Sequence, residues 1–304
     1  MKRIVITGAT SFLGRSVIEG LIKDGYYIYA LCRPDSSSLK LLPQSENLEI
    51  IYGTLSDMDI ALTSYIINEA DVFIHFAWDG SGRLGRADEA VQNKNAEYAV
   101  TALEIAKKLG CTKFIFPGSQ AEYGVRQDVM KETDYCEPVS AYGKAKLLFQ
   151  ELAERKVDLS DIALIHLRIF SIFGYGDRAG TLVDSCIDTF NSENSIELGP
   201  CNQYWNFLYI DDFVDIVRRF IEKEISSGIY NVASNDTRLL REFVDDIWKV
   251  SKKSGNYIYG TDGFNPEGTP NLQPDISRMM TELGDFTFTS FKSGISEIMQ
   301  KKGL

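Results

Sequence analysis

Apolar, β-branched runs mark the first half of the chain at Ile4–Thr7, Tyr26–Cys32, Leu48–Tyr52, Val72–Phe76 and Lys113–Pro117. Each has the length of a strand. Helical spacing fills the intervals, predicting helices at about 13–23, 58–68, 88–109 and 140–156, and a further strand follows at Ala163–Ile169. Strands that are apolar almost without interruption must be covered on both faces, and helices alternating with them supply the cover. Right-handed crossovers then give an α/β, Rossmann-like doubly wound parallel sheet. Beyond about residue 174 the pattern loosens. Gly174, Gly176, Gly180, Gly199 and Pro200 separate short elements, with helices predicted at 180–191, 211–224, 238–252, 275–283 and 291–301 and a loop at 260–274. The expected organisation is a larger domain, 1–174, and a smaller α/β lobe, 175–304, packed on it with the chain crossing between them.

Composition narrows the class. The chain has 304 residues, 44% of them hydrophobic, enough for a sizeable core. Its net charge of −11, with no Lys/Arg run, argues against nucleic acid as a partner. Five cysteines without a CxxC pair make a disulfide framework improbable and fit a reducing cytoplasm. Only His75 and His166 are present, so no metal site is expected. The first apolar stretch stops at Gly8, too short for a signal segment, and no run spans a membrane.

Two stretches carry chemistry. Residues 7–14 read TGATSFLG between a strand and a helix. That turn presents backbone N–H groups and a helix N-terminus to a pyrophosphate. Gly8 permits the turn, Gly14 lets helix and strand approach, and the small Ser11 keeps the cradle open with a hydroxyl that can donate to phosphate. An ordinary βα turn would show the same glycines. The next strand ends in ALCRPD, where Arg33 suits the 2′-phosphate of NADP while Asp35 keeps NAD open. Residues 140–151, SAYGKAKLLFQE, put Tyr142 and Lys146 four apart on one helical face. With 15 tyrosines such a pair arises by chance about once, so position must add weight. It does: FIFPGSQAEYG (114–124) ends a buried strand at Gly118-Ser119, where open parallel sheets bind ligands. A phenol with a pKa of about 10 needs a neighbouring cation to exchange protons near neutrality. Lys146 and an oxidised nicotinamide would supply it, with Ser119 holding the substrate oxygen.

These stretches, with IHFA (74–77), HLRIFSIFGYGD (166–177), FLYIDDFVDIV (207–217), GIYNVAS (228–234) and PDISRMM (274–280), resemble the extended short-chain dehydrogenase/reductases of the NAD-dependent epimerase/dehydratase group, which act on nucleotide-sugars. The resemblance implies that Ser119, Tyr142 and Lys146 are catalytic. It implies that Gly8, Ser11, Phe12, Leu13 and Gly14 line the pyrophosphate, that Ala77 lies along the cofactor, and that Leu167–Ile172, including Ile169, runs beside the nicotinamide. Asn95 would support the site backbone, and His75 would be structural. Trp78, Gln120, Ser171, Arg178 and Trp205 become candidate substrate contacts. The insert WDGSGRLGR (78–86), with Arg83 and Arg86, is a candidate lid or a surface loop. Pairing of the helices near 88–109 and 140–156 would make a homodimer.

Departures from the family pattern bear on the reaction. Dehydratases of the group carry Thr-Asp-Glu where this chain has Ser119-Gln120-Ala121, and the fucose-synthase-like enzymes carry Cys at Ala121. Neither water elimination nor epimerisation beside a ketone is therefore expected. Trp205-Asn206-Phe207 replaces Arg-Asp-Phe, Ser171 replaces Asn, and Pro270-Asn271 lies where Arg is usual, so the ordinary UDP-sugar pose is not expected either. Three readings stand: NADP(H)-dependent reduction of a nucleotide-linked 4-keto-(deoxy)hexose, a 4-epimerase with tightly held NAD, and a cofactor-binding protein without turnover.

Overall fold

A computed structural model of the chain describes residues 1–64, 69–82, 84–157, 162–260 and 271–304. The chain forms two compact units. The first comprises Met1–Gly124, Tyr135–Ile169 and Val214–Tyr230. Its strands are β1 (Arg3–Thr7), β2 (Tyr27–Cys32), β3 (Leu48–Tyr52), β4 (Val72–His75), β5 (Lys113–Ser119) and β6 (Ala163–Ile169). They stand in the order β6-β5-β4-β1-β2-β3, every neighbouring pair parallel, and Gly228–Val232 adds an edge strand beside β6. The strand order reverses between β1 and β4, so the crevice at their carboxyl ends lies between Gly8 and Ala77.

The helices of this unit include α1 (Phe12–Lys23), α2 (Met58–Ser64), α3 (Glu89–Lys108), α4 (Ala141–Val157) and Val214–Glu222 of the helix Ile210–Glu222, predicted at 211–224. The far end of the predicted 58–68 helix lies outside the described residues. Alanines 96, 99, 102 and 106 make a stripe of small, fully buried side chains on α3. That stripe lets α4 pack closely through Ala145, Phe149 and Ala153, and the shared core extends to Phe73, Phe114 and Phe116 of the sheet.

The second unit comprises Val125–Asp134, Phe170–Phe213 and Asn231–Leu304. Its central strand, Tyr204–Tyr209, pairs parallel with Ser171–Phe173 and antiparallel with Thr237–Leu239, and Ser195–Leu198 pairs parallel with Asn256–Tyr259. Helices Leu182–Phe190, Leu240–Val250, Ser277–Leu283 and Phe291–Lys302 fall where spacing predicts them. Phe173, Phe207, Phe243 and Phe291 form its aromatic core, with ring centroids 4.8–5.9 Å apart. Most of the predicted 260–274 loop lies outside the described residues, but Asn271 and Leu272 are anchored to Tyr204 through Asn271 Oδ1 and the Leu272 N–H. No described helix is long and apolar enough to cross a membrane.

Candidate active site

The turn after β1 is built for close approach. Gly8 has φ +65°, and a Cβ there would lie 2.5 Å from the Ala77 backbone nitrogen. A Cβ on Gly14 would collide with the Gly8 carbonyl. Ser11 is the N-cap of α1: its Oγ accepts from the Gly14 N–H at 3.1 Å, which leaves the hydroxyl proton to donate outward. Glycines at both approaches and a helix N-terminus between them fit a dinucleotide pyrophosphate. Phe12 and Leu13 open the helix and are partly exposed. Thr7 ties the two strand ends together, its Oγ1 bonded to His75 Nδ1 at 2.9 Å and accepting from the Ala77 N–H at 3.3 Å. Burial, reinforced by Lys146, pushes His75 down to about 3, so its ring is neutral. Arg33 is exposed just past β2, and beside the turn Ser36 Oγ donates to Thr10 Oγ1 at 3.2 Å.

Ser119, Tyr142 and Lys146 converge at the carboxyl end of β5. Ser119 is the last residue of that strand and caps the 3-10 turn Gln120–Tyr123, its Oγ accepting from the Ala121 N–H at 3.1 Å. Tyr142 is in the first turn of α4 and is hydrogen-bonded to Ser119. Gly143 makes this approach possible, because a Cβ there would strike the Ala121 carbonyl. Lys146, one turn on, is 2% exposed and donates to the Pro117 carbonyl at 2.7 Å. Its ammonium sits 3.6 Å from the Trp78 ring centroid and 5.6 Å from that of Tyr142. Gln120, partly buried, opens the 3-10 turn, and Ile169 stands opposite Ser119 in the β5–β6 register.

The electrostatics add Arg86 to the Lys146 and nicotinamide charges expected beside the phenol. Burial raises the Tyr142 pKa. Arg86 is the leading opposing influence, followed by the bond to Ser119, while Glu122 adds to the rise. Burial holds Lys146 well below the ordinary lysine range, Glu122 partly offsetting this and Arg86 adding to it. Arg86 reaches the site from the insert after β4, its guanidinium carbon 4.3 Å from the Tyr142 ring centroid. Arg83 of the same insert lies outside the described residues.

Beneath Ser119 lies a charged cluster that sequence reasoning passed over. Glu122, fully buried, accepts the Ser119 backbone N–H at 2.7 Å through Oε1 and Arg168 Nε at 2.9 Å through Oε2. His166 Nε2 lies 3.0 Å from both oxygens. Burial would raise this carboxyl, but His166 and Arg168 pull it down to about 2. Gly118 makes room, since a Cβ would strike the His166 ring. The signal was present in the sequence: Ser119-x-x-Glu122 is a capping box.

Of the remaining candidates, Trp78 packs edge-on to Tyr142, with centroids 6.1 Å apart. Asn95 bonds both the N–H and the carbonyl of Asp79, at 3.0 and 2.8 Å. Ser171, Arg178 and Trp205 belong to the second unit, where Arg178 is exposed and Trp205 lies in the central strand. Asn206, beside Trp205, is fully buried and holds the Ser234–Thr237 turn by bonds to Ser234, Asp236 and Thr237.

A nucleotide cradle at the sheet's switch point, with a serine–tyrosine pair beside it, defines an extended short-chain dehydrogenase/reductase. Residues 4–233 match the NAD dependent epimerase/dehydratase family, and the chain belongs to it. Among its relatives, CDP-abequose synthase of Salmonella muenchen is 28% identical, the match covering 99% of this chain and 98% of that one. ADP-L-glycero-D-manno-heptose-6-epimerase of Cupriavidus pinatubonensis is 26% identical over 77% of this chain and 74% of its own. The fold is shared with UDP-N-acetylglucosamine 4-epimerase of Methanobrevibacter ruminantium, at TM-score 0.84, 21% identity and 99% coverage of each chain. The chain is an enzyme of the nucleotide-sugar epimerase, dehydratase and reductase group.

Proposed function

We propose that the protein reduces a nucleotide-linked 4-keto-(deoxy)hexose with NADPH, using Ser119, Tyr142 and Lys146. The observation that carries this reading is the convergence of those three residues at the end of β5, next to a turn whose Gln120 and Ala121 contain no acid or base. A nicotinamide cofactor held at the Gly8–Gly14 turn would supply the hydride. Ser119 orients the ketone oxygen by donating its hydroxyl proton in a hydrogen bond, and Tyr142 delivers the proton that completes the alcohol. Lys146, held by the Pro117 carbonyl, fixes the phenol's surroundings. Arg33 at the end of β2, with the Thr10 and Ser36 hydroxyls near it in the turn, supports a 2′-phosphate and hence NADP. CDP is the proposed nucleotide, on the similarity to CDP-abequose synthases of two organisms.

A second reading, a 4-epimerase with resident NAD, is favoured by the family's NAD dependence and by Asp35. Heat release of cofactor from purified protein separates the two. An empty or NADP-bearing site, together with NADPH oxidation on a CDP-linked 4-ketosugar, supports the reductase. Stoichiometric NAD overturns it in favour of the epimerase. The third reading, cofactor binding without turnover, gains if Tyr142→Phe folds and supports the same in vivo phenotype as the unmodified chain.

A further inference from the structure

The glycine-rich insert between β4 and α3 is pinned rather than loose over its described residues. Gln92, fully buried on α3, donates through Nε2 to the carbonyls of Gly80 at 3.1 Å and Gly85 at 2.9 Å. Its Oε1 accepts the Trp78 indole N–H at 2.7 Å. Asn95 holds Asp79 at both backbone groups. Gly80 has φ +66° and touches Gly85, where a Cβ would collide with the Gly80 backbone. Asp88 then caps α3, its carboxylate accepting from the Val91 N–H at 3.1 Å. The loop is thus closed at its neck, and the turn Gly85–Ala87 carries Arg86 to the ring of Tyr142, 4.3 Å from its centroid.

We propose that Arg86 is a positioning residue for Tyr142: stacked on the phenol ring, it fixes the ring's orientation and supplies a second positive charge beside the phenol. A guanidinium over an aromatic face is favourable and directional. Among the described residues, the charged and polar groups facing Tyr142 are Arg86 on the insert, Lys146 on its own helix, Ser119 on β5 and Glu122 on the 3-10 turn. Lys146 is engaged with the Pro117 carbonyl and the Trp78 face, and Glu122 opposes ionisation of the phenol. Among the described residues, Arg86 is the cation left to favour the phenolate.

This rests on the reading of Tyr142 as the proton-transferring group, so the test does not depend on turnover. A difluorotyrosine, which ionises at lower pH than tyrosine, is placed at position 142 of the full chain. Its ionisation is followed by fluorine NMR in the unmodified background and in Arg86→Met and Arg86→Lys, with thermal melts to verify folding. At an effective dielectric of ~20 a charge 4.3 Å away is worth nearly three pH units, and solvent screening reduces that to about one. The expected result is a pKa higher by about one pH unit in Arg86→Met and largely restored in Arg86→Lys. A pKa that stays put in Arg86→Met, or moves equally in both variants, overturns the proposal. Absence of turnover on every ketosugar tested would count against the reductase reading and leave this titration interpretable.

Discussion

Glu122→Gln removes one charge and almost no volume from the cluster under Ser119. In the native chain the carboxylate answers Arg168 Nε at 2.9 Å and the Ser119 N–H at 2.7 Å, with His166 Nε2 at 3.0 Å, all buried. The amide cannot reproduce this. Its NH₂ group faces donors, and the Arg168 guanidinium is left buried without its carboxylate. Breaking a buried pair from one side costs about 3–5 kcal/mol. Acidity gives an independent measure. Burial raises the Glu122 pKa, but His166 and Arg168 bring it down to about 2, against about 4.3 for a free glutamate. A depressed carboxyl contributes stability that is complete above the unfolded pKa and lost as pH falls toward the folded one. The contribution is about 3 kcal/mol near neutrality and declines by ~1.4 kcal/mol per pH unit below about 4.3. The assay is chemical denaturation of both chains at pH 6 and pH 3. The other carboxylates titrate alike in the two proteins, so their difference isolates Glu122. Glu122→Gln is expected to be less stable by about 3 kcal/mol at pH 6, and the gap to narrow by roughly 2 kcal/mol at pH 3. A gap that is the same at both pH values would refute the claim that this carboxyl is held ionised by its neighbours.

Other changes test other parts of the molecule. Gly8→Ala places a Cβ 2.5 Å from the Ala77 nitrogen at φ +65°, and is expected to cost about 1–3 kcal/mol and most of the cofactor affinity, measured by melting and by fluorescence titration with NADPH. Arg33→Ser is expected to weaken NADPH binding at least tenfold (roughly 1.4 kcal/mol) while leaving NADH binding unchanged, measured by calorimetry. Tyr142→Phe is expected to retain fold and cofactor but lose about 10²–10⁴-fold in turnover, read from single-turnover NADPH oxidation. Leu148 on α4 is 38% exposed; if α3 and α4 pair between two copies, Leu148→Glu shifts the light-scattering mass from dimer to monomer.

The first unit was legible because its strands are long and apolar and its helices amphipathic, so Ile4–Thr7 and Lys113–Pro117 declare themselves without help from the rest of the chain. Ser119, Tyr142 and Lys146 could be placed together because a strand end and the helix after it have only one way to meet in such a sheet. In the second unit an α/β lobe and its helices are legible, but the positions of its strands are not. Its strands are three to six residues long, and Ser171–Phe173 or Thr237–Leu239 gains its identity only from a neighbour distant in sequence. Gln92 was hidden for a related reason, as was the contact that Arg86 of the candidate lid makes with Tyr142. Nothing local tells a glycine-rich insert that its neck will be closed by a glutamine on the following helix. His166 and Arg168 looked like ordinary strand residues until the register set them under the Ser119 turn.

Gln92 gives α3 a mechanical connection that its sequence does not advertise. Because one side chain grips both ends of the neck and the Trp78 indole, helix and loop travel as one body. A slide of α3 by a fraction of a turn would drag the guanidinium across the phenol, so a push on that helix's outer surface has a lever arm ending at the tyrosine.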